Sequence, residues 1–327
     1  MLASDFVPPP APTFSPWARY LSYVPLYGLG VPIVKLMEAA GQWPYAIGAV
    51  MRKSMGDFGD YLPTAHDVLA CSYFKCGTTW LLQIALQIAH RGNAEFDNIH
   101  AVVPWPDAPG MFARNIIPLS NPSPAQRSPT GLRVIKTHYD SSKVPYATDS
   151  RYIAVTRDPK DACVSGYHFL HSLAYGPMMP SIPHWIDFFL SPKFPQGSWA
   201  RHLSSYWQLR DRTNVLFLTY EEMKLDLKAT VRRIAGFLDV DLTQDEADAV
   251  NHLSTFSYMK EAKLKFDPGQ VVPWGSDEGA MLRRGERGRS GDLLTPAQQQ
   301  RIDDHCRTEL HRLGCDFPYD EAFGRRS

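Results

Sequence analysis

The stretch DVLACSYFKCGTTWLLQIALQIAH, residues 67–90, decides the fold of this 327-residue chain. Its first part, 68–74, is an apolar run that is too short for a helix, which predicts a buried strand. The residues after the small-residue turn at 75–79 repeat apolar side chains with the spacing of one buried helix face: Leu81, Ile84, Ala85 and Ile88. A strand, a tight turn and a helix therefore follow one another here.

A strand that runs through a glycine-bearing turn into a helix forms an anion site, because unpaired backbone N–H groups and the positive end of the helix dipole meet there. Lys75 adds a charge to this turn, and Thr78 and Thr79 add hydroxyl donors. The turn is not a Walker A loop, since GxxxxGK[ST] places its lysine after the second glycine. These residues alone leave two interpretations open: a cradle for a phosphate or sulfate group, and an ordinary strand-to-helix turn with a surface lysine.

Composition limits the function classes. Lys plus Arg and Asp plus Glu number 34 each, so no overall field attracts nucleic acid or an acidic membrane, and any anion site must be local. Nucleic acid is not expected as a partner. The five cysteines are odd in number and lack CxxC spacing, which argues against a disulfide framework or a structural zinc. They favour a reducing compartment, and the expected location is the cytoplasm.

Residues 1–60 are predicted to form an N-terminal arm with apolar covering helices, apart from the main domain at 61–327. The first 16 residues are rich in proline and predict an extended arm. Residues 17–53 are aromatic and apolar, which fits either helices that cover the core or wall a pocket, or a segment that docks on a membrane surface. The least polar stretch, 21–34, has only 14 residues with two prolines inside it, which predicts no transmembrane segment.

Three more strands are predicted, at 131–138, 151–156 and 214–220. Asp158 suits an N-cap and Pro159 the first turn of a following helix. Strands that alternate with helices predict a single α/β domain with a central, mostly parallel sheet flanked by helices, a P-loop-like nucleotide-binding fold. In such a sheet the ligand crevice lies beyond the carboxyl ends of the strands. Four polar side chains lie at or just past those ends: Lys75, His138, Arg157 and Tyr220.

Other signals mark helices and a basic loop. Thr243 and Thr295 each begin a capping box, and apolar side chains recur along one face of a predicted helix at 227–238. The arginine cluster at 283–289 fits two interpretations, a solvated basic run and a guanidinium clamp on a phosphate.

With these residues in view, the chain resembles the cytosolic-type sulfotransferase family, whose donor is 3′-phosphoadenosine 5′-phosphosulfate (PAPS). The resemblance covers about residues 65–315, and six motifs occur in order at compatible spacing, which makes it specific. They are YFKCGTTW at 73–80, similar to the 5′-phosphosulfate loop YPKSGTTW; KTH at 136–138; RDPKDACVSGYHF at 157–169, similar to the 3′-phosphate segment RNxKDxxVSxxHF; TYEEMK at 219–224; STFSYMK at 254–260, similar to the adenine-side SFxxMK; and RRGERG at 283–288 ahead of TPAQ at 295–298.

The chain also departs from the family pattern. Phe74 replaces the usual proline and Cys76 the common serine, both in a loop that acts mainly through its backbone, its lysine and its threonines. The GDW that follows the family's basic motif is Gly-Arg-Ser at 288–290 here. The family's dimerisation signature is missing, with Gly291 in place of lysine and Pro296 in place of valine, so that dimer is not predicted.

The resemblance implies sulfuryl transfer to a hydroxyl or amine by in-line displacement, an activity of the EC 2.8.2 type, with 61–327 as the catalytic domain. His138 would be the base, Lys75 would stabilise the bridging oxygen, and Lys136 would assist at the sulfuryl group. No metal is expected, because cationic side chains and helix-end N–H groups supply the positive charge. The implied nucleotide contacts are Lys75, Cys76, Gly77, Thr78, Thr79, Trp80, Arg157, Ser165, Tyr220, Ser254, Phe256, Arg283, Arg284 and Gly285.

Aromatic and proline-rich segments at 99–117, 170–200 and 260–280 are expected to border the open side of the crevice. An acceptor pocket lined by Trp105, Phe112 and Phe169 predicts an apolar hydroxyl compound, such as a phenol, a steroid-like alcohol or a lipid. A carbohydrate acceptor stays open, since aromatic rings also stack on sugars. Two other functions stay open as alternatives: a P-loop kinase for nucleotides or small molecules, and a non-catalytic nucleotide-binding protein.

Overall fold

The computed structural model describes residue 6 and residues 14–267, 272–275 and 290–324. In this part of the chain a four-stranded parallel sheet has the order β2-β1-β3-β4. The strands are β1 Asp67–Ser72, β2 Arg133–Thr137, β3 Arg151–Thr156 and β4 Val215–Thr219. All six residues of β1 are buried, as expected for a central parallel strand that is covered on both faces. The predicted α/β fold with a parallel sheet is confirmed.

Helices surround the sheet, and several are very short. The α-helices are α1 Pro16–Pro25, α2 Val31–Ala39, α3 Trp43–Ser54, α4 Thr78–Ala89, α5 Gly110–Ala113, α6 Ser123–Arg127, α7 Pro159–Leu170, α8 Ile182–Leu190, α9 Trp199–Trp207, α10 Tyr220–Leu225, α11 Leu227–Phe237, α12 Gln244–Leu253, α13 Phe256–Glu261, α14 Pro296–Arg312 and α15 Tyr319–Phe323. The π-helical turns are Leu26–Gly30 and His171–Tyr175, and the 3₁₀ turns are Ile99–Ala101, Ser141–Lys143, Gly176–Met178, Lys263–Phe266 and Ser290–Asp292.

The alternation of side chains along β1 divides the core between the two faces of the sheet. Val68 and Ala70 pack in the cluster that contains residues of α4, α11 and α12, whereas Leu69 and Cys71 pack in a cluster on the opposite face. A third cluster, built around Trp185, joins α7, α8, α9 and α14 beyond the sheet. The core therefore fixes the carboxyl ends of the strands between helices on both sides.

The predicted helix starts are confirmed in detail. The carboxylate of Asp158 accepts a hydrogen bond of 2.8 Å from the backbone N–H of Lys160, with Pro159 as the first residue of α7. Thr243 and Thr295 both form complete capping boxes, at the starts of α12 and α14. Each box satisfies backbone donors that the helix itself leaves unpaired.

The N-terminal region differs from the sequence-based expectation. Pro16–Ala39 is one helical stretch of 24 residues, and among the described residues it alone is long and apolar enough to cross a membrane by length and composition. The helical stretch is longer than the least polar segment of 14 residues, because the two prolines do not end the helix, and the absence of a transmembrane segment stays a prediction. Pro25 and Pro32 flank the π-helical turn Leu26–Gly30, where the regular hydrogen-bond pattern already changes. The division of the chain at residue 60 stays a prediction.

A buried ion pair connects the start of β1 to β2. Arg133 donates from Nη2 and Nε to Asp67 Oδ1 at 2.7 and 2.9 Å, and Tyr61 donates to Asp67 Oδ2 at 2.5 Å. The Asp67 side chain is 0% exposed and that of Arg133 9%. We expect Arg133→Ala to lower the free energy of unfolding by about 3–5 kcal/mol, because it leaves a buried carboxylate without its cation.

Urea denaturation measures this loss, and Arg312→Ala is the matched control. Arg312 pairs with Glu309 at 2.8 Å, but its side chain is 65% exposed, so its loss should leave the free energy of unfolding nearly unchanged. Equal losses in the two variants would contradict a special role for the buried pair.

Candidate active site

The turn between β1 and α4 has the backbone that an anion cradle needs. Lys75 and Gly77 both lie in the left-handed region, with φ of 62° and 97°. A Cβ added at Gly77 would lie only 2.7 Å from Cδ2 of Tyr220, so a side chain at this position is excluded twice, by φ and by space. Within the described residues no side chain caps the N-terminus of α4. Its first N–H groups are therefore available to a ligand.

A cavity of about 310 Å³ lies beside this turn. It is formed by residues that are far apart in sequence and that follow different strands. The residues predicted from the sequence that line it are Lys75, Gly77, Thr78, Thr79, Trp80, Trp105, Phe112, Lys136, His138, Arg157, Ser165, Phe169, Tyr220 and Phe256. The lysine of the turn and the imidazole after β2 thus share one cavity.

His138 is held by two hydrogen bonds at the end of β2. Its backbone N–H donates to Asp107 Oδ2 at 2.8 Å, and its ring Nδ1 lies 2.8 Å from the carbonyl oxygen of Ser72. Because a carbonyl only accepts, Nδ1 carries the proton, which leaves Nε2 as the unprotonated nitrogen. Burial, and next the charge of Lys136, hold the pKa of His138 well below its usual value. The ring is therefore a neutral base at neutral pH.

Two lysines lie against the aromatic rings of the cavity. Lys136 Nζ is 3.2 Å from the ring centroid of Trp105, and Lys75 Nζ is 4.1 Å from that of Phe169. Burial lowers the pKa of Lys136 to about 7, Asp107 opposes this shift, and the charge of Lys75 adds to it. Both ammonium groups would be stabilised by an anion bound between them.

Asp107 is a site residue that the sequence analysis missed. Its side chain is fully buried, and burial raises its pKa to about 6, against the hydrogen bond from His138. It stands in a proline-rich loop, 31 residues before the histidine whose backbone it holds. No local pattern relates the two positions, so only the folded chain could identify it.

Arg157 begins the connection from β3 to α7 and contacts the turn directly. Its Nη1 donates to the carbonyl oxygen of Lys75 at 3.3 Å, and Nη2 lies 3.6 Å from Asp161 Oδ2. The guanidinium carbon is 4.5 Å from the ring centroid of Tyr220. Ser165, on α7, lines the same cavity. The guanidinium of Arg157 and the hydroxyl of Ser165 therefore line the same cavity as the turn at 75–79, although they are distant from it in sequence.

Aromatic rings border the cavity next to α4. The rings of Trp80 and Tyr220 meet edge to face with centroids 5.4 Å apart, and Trp80 Nε1 donates to the carbonyl oxygen of Ser254 at 2.8 Å. Phe256, the first residue of α13, lines this region with Lys224 Nζ at 5.8 Å from its ring centroid. Flat rings at these positions can stack on a planar base.

Other predicted contacts lie elsewhere. Cys76 is fully buried, its N–H donates to the Tyr73 carbonyl at 3.1 Å, and burial raises the pKa of its thiol to about 12. The side chain of Ser254 is also fully buried and lies outside the cavity lining, where Thr255 stands instead. Arg283, Arg284 and Gly285 lie outside the described residues.

No group of three or more His, Cys, Asp or Glu side chains is placed to hold a metal ion within the part of the chain that the structure describes. The expectation of a metal-free reaction stays a prediction.

Fold and cavity together define a class: an α/β protein with a glycine-bearing strand-to-helix turn and an aromatic cavity at the carboxyl edge of a parallel sheet. The family described as the sulfotransferase domain matches residues 65–314. Sulfotransferase 2A6 of Rattus norvegicus is 31% identical over 245 residues, which cover 73% of this chain and 82% of the relative.

Two solved structures share the fold. Mouse sulfotransferase SULT7A1, complexed with PAP, covers 81% of this chain and 91% of its own, with a TM-score of 0.60 and 24% identity. Retinol dehydratase, in complex with androsterone and the inactive cofactor PAP, covers 85% of this chain and 88% of its own, with a TM-score of 0.64 and 19% identity.

The chain belongs to the sulfotransferase family. The predicted reaction class, sulfuryl transfer by an enzyme of the EC 2.8.2 type, is confirmed, and the kinase and non-catalytic alternatives are not favoured.

Proposed function

We propose that the cavity binds PAPS and transfers its sulfuryl group to the hydroxyl of an apolar small molecule. The observation that carries the proposal is the meeting of Lys75, Lys136 and His138 in one cavity with Arg157. Three basic side chains in one cavity, Lys75, Lys136 and Arg157, suit a donor that carries phosphate at both its 5′ and 3′ positions. PAP in the two solved relatives supports the same donor.

The turn at 75–79 would hold the 5′-phosphosulfate through helix-end N–H groups and Lys75. Arg157 and Ser165 would hold the 3′-phosphate, and Trp80 and Phe256 would stack on adenine. Arg283, Arg284 and Gly285 are proposed as further 3′-phosphate contacts from the sequence resemblance alone. This arrangement uses one edge of the sheet for the whole nucleotide.

The reaction then needs positioning and charge stabilisation more than covalent help from the protein. The acceptor oxygen forms a bond to sulfur while the bond from sulfur to the 5′-phosphate oxygen breaks, and PAP leaves. His138 Nε2 takes the acceptor proton, because hydrogen bonding fixes the other ring nitrogen as a donor. Lys75 stabilises the charge on the leaving oxygen, and Lys136 stabilises the charge on the sulfuryl oxygens in the transition state.

The acceptor side of the cavity is apolar, which supports a phenol, a steroid-like alcohol or a lipid over a glycan. The side chains that support this choice are Met51, Phe74, Trp105, Met111, Phe112, Phe169, Leu170 and Leu173. Androsterone, bound by retinol dehydratase, is an alcohol of this kind. All five cysteines lie in the described part of the chain and are free thiols, which fits the proposed cytoplasmic location.

Transfer of labelled sulfate from PAPS to a panel of phenols, sterols, lipid alcohols and glycans tests the proposed function, with a chelator arm. We expect a labelled product from an apolar acceptor, unchanged by the chelator. Binding of PAP without transfer to any member, or transfer that needs ATP and not PAPS, would contradict the proposal. Inhibition by the chelator would contradict the metal-free reaction.

Donor binding is expected to take up a proton at pH 8. With a pKa of about 7, about nine tenths of Lys136 is neutral at that pH in the empty site, and an anionic donor nearby restores its charge. PAPS affinity should therefore fall as pH rises above 7. Below that pH the lysine is already protonated, so proton uptake should disappear at pH 6.

Calorimetry of PAPS binding in two buffers of different ionisation enthalpy measures the uptake. Lys136→Met should abolish it at pH 8, whereas Lys143→Met, at an exposed lysine outside the cavity lining, should leave it unchanged. Full uptake in the Lys136 variant would assign the proton to another group.

A further inference from the structure

The N-terminal helical stretch Pro16–Ala39 exposes an unusual amount of apolar surface. Among the described residues, nine of the fourteen exposed large apolar side chains belong to it. Their exposed fractions range from 41% at Tyr23 to 74% at Trp17. They are Trp17, Tyr20, Leu21, Tyr23, Val24, Tyr27, Leu29, Ile33 and Leu36. A surface of this kind on a folded domain marks an interaction site.

One stripe of the helix fixes it to the catalytic domain. Leu26, Val34 and Glu38 are buried, at helical spacing, and Glu38 Oε1 accepts a hydrogen bond of 2.7 Å from the backbone N–H of Ser181. Between them, a Cβ added at Gly30 would lie 3.1 Å from Met178 Sδ. The second half of the stretch therefore lies along the domain surface. None of the ten residues of α1 is buried.

The stretch Pro16–Ala39 itself has a net charge of 2 − 1 = +1, and the helix α3 that follows it adds two more cations, unlike the chain as a whole. Residues 16–55 contain Arg19, Lys35, Arg52 and Lys53 against the single carboxylate of Glu38, a net charge of 4 − 1 = +3, whereas the whole chain is neutral. Glu38 Oε2 accepts from Lys35 Nζ at 2.8 Å and is turned toward the domain. Apolar and aromatic side chains with an excess of cations are complementary to an anionic lipid surface.

We propose that Pro16–Ala39 docks in the plane of an anionic membrane surface. Tryptophan and tyrosine favour the interface between water and lipid, and four such side chains stand in the first half of the stretch. A span across the bilayer is disfavoured, because the buried stripe holds half of the helix against the domain.

Docking would bring lipid close to the acceptor side of the cavity. α2 contacts the 3₁₀ turn Gly176–Met178, which directly follows the π-helical turn His171–Tyr175. That turn contributes Leu173 and Tyr175 to the cavity lining, and Tyr175 Oη donates to the sulfur of Met51, another lining residue, at 3.5 Å. A membrane-dissolved alcohol would then reach the cavity from the bilayer, a step that rests on the proposed function.

Flotation of the full chain with vesicles tests the docking. Phosphatidylcholine vesicles with phosphatidylglycerol should carry the protein upward, and vesicles without the anionic lipid should carry less of it. The triple variant Leu21→Ser, Leu29→Ser and Leu36→Ser should reduce the bound fraction about tenfold, because these leucines are 61%, 62% and 72% exposed. An alkaline carbonate wash should release the bound wild type, as it does for a peripheral protein.

The matched control removes three equally exposed leucines elsewhere: Leu62→Ser, Leu225→Ser and Leu264→Ser, at 72%, 78% and 74% exposure. It should float like the wild type. Both triple variants should keep the wild-type melting temperature and PAP affinity. If the wild type did not bind PAP, the proposed function would be contradicted, and the flotation result would still stand. The docking would be overturned if the wild type did not float with anionic vesicles, or if both triple variants lost the same fraction of vesicle binding. It would also be overturned if the bound protein resisted the carbonate wash, or if the stretch formed a dimer and did not bind vesicles.

Discussion

Replacement of His138 by glutamine is expected to lower kcat by about 10²–10⁴-fold, while the Kd for PAP changes little. Glutamine is a neutral polar side chain of similar length, and the backbone N–H of residue 138 can still donate to Asp107, so the fold around the cavity should persist. The variant lacks a basic nitrogen that can take the proton from the hydroxyl group of the sulfuryl acceptor. Steady-state transfer and calorimetry with PAP separate the two effects.

His311→Gln, at an exposed histidine outside the cavity lining, is the control and should keep the wild-type rate. If His138→Gln also retained that rate, the ring could not be the base. If it lost PAP affinity and rate together, the histidine would act on binding and not on proton transfer.

The pH profile gives a second readout on the same residue. Burial and the charge of Lys136 both favour neutral imidazole, so the pKa of His138 lies well below its ordinary value. Because the neutral ring is the reactive form, its acid limb should lie below pH 6.5, and kcat should not decline between pH 8 and 6.5 through this group. An acid limb centred near neutrality that vanishes in His138→Gln would contradict the neutral ring.

Arg157→Ala is expected to weaken PAP binding by about 100-fold, which corresponds to about 2.7 kcal/mol, while binding of adenosine 5′-phosphate changes far less. The difference between the two nucleotides is the 3′-phosphate alone. Arg157 is half-buried beside Tyr220, where a charge-assisted hydrogen bond to a phosphate is stronger than in open solvent.

The side chain also holds the Lys75 carbonyl and faces Asp161, so the variant needs a check of its fold. Arg157→Lys keeps a positive charge without the fork, and we expect an intermediate loss of PAP affinity. Arg312→Ala, at an exposed arginine on α14, should bind both nucleotides like the wild type. If Arg157→Ala lost equal affinity for PAP and for adenosine 5′-phosphate, Arg157 would not be the residue that binds the 3′-phosphate.

The bounds of strand β3 were predicted more accurately than those of strand β1. Strand β3 was predicted at its true bounds, 151–156, because apolar β-branched residues are bounded there by turn chemistry at Asp158 and Pro159. Strand β1 ends at Ser72, two residues before the predicted end, because the chain must already turn toward Lys75 and Gly77 in left-handed conformations. Apolar character continues through Tyr73 and Phe74, since they are buried outside the sheet.

The N-terminal segment was the weakest part of the prediction. The two prolines inside the least polar stretch do not end the helix, because the effect of a proline depends on whether the neighbouring turn still needs its hydrogen bond. In the folded chain the turn between Pro25 and Pro32 is π-helical, and the helix continues to Ala39. α1 buries none of its residues, and the choice between covering helices and a membrane-docked segment stays a prediction.

By itself, the sequence determined the alternation of strands and helices, the tight turn at 75–79 and the family of the protein, because these depend on residues close together in the chain. Only the tertiary structure decided that Asp107 holds the backbone of His138, that Lys136 lies on Trp105, and that Cys76 and Ser254 are buried outside the cavity lining. Such contacts join residues that are far apart in the sequence, and no periodic pattern of residues indicates that they meet. They are fixed by the packing of the sheet and its helices, which sets both the burial of each charge and its neighbours.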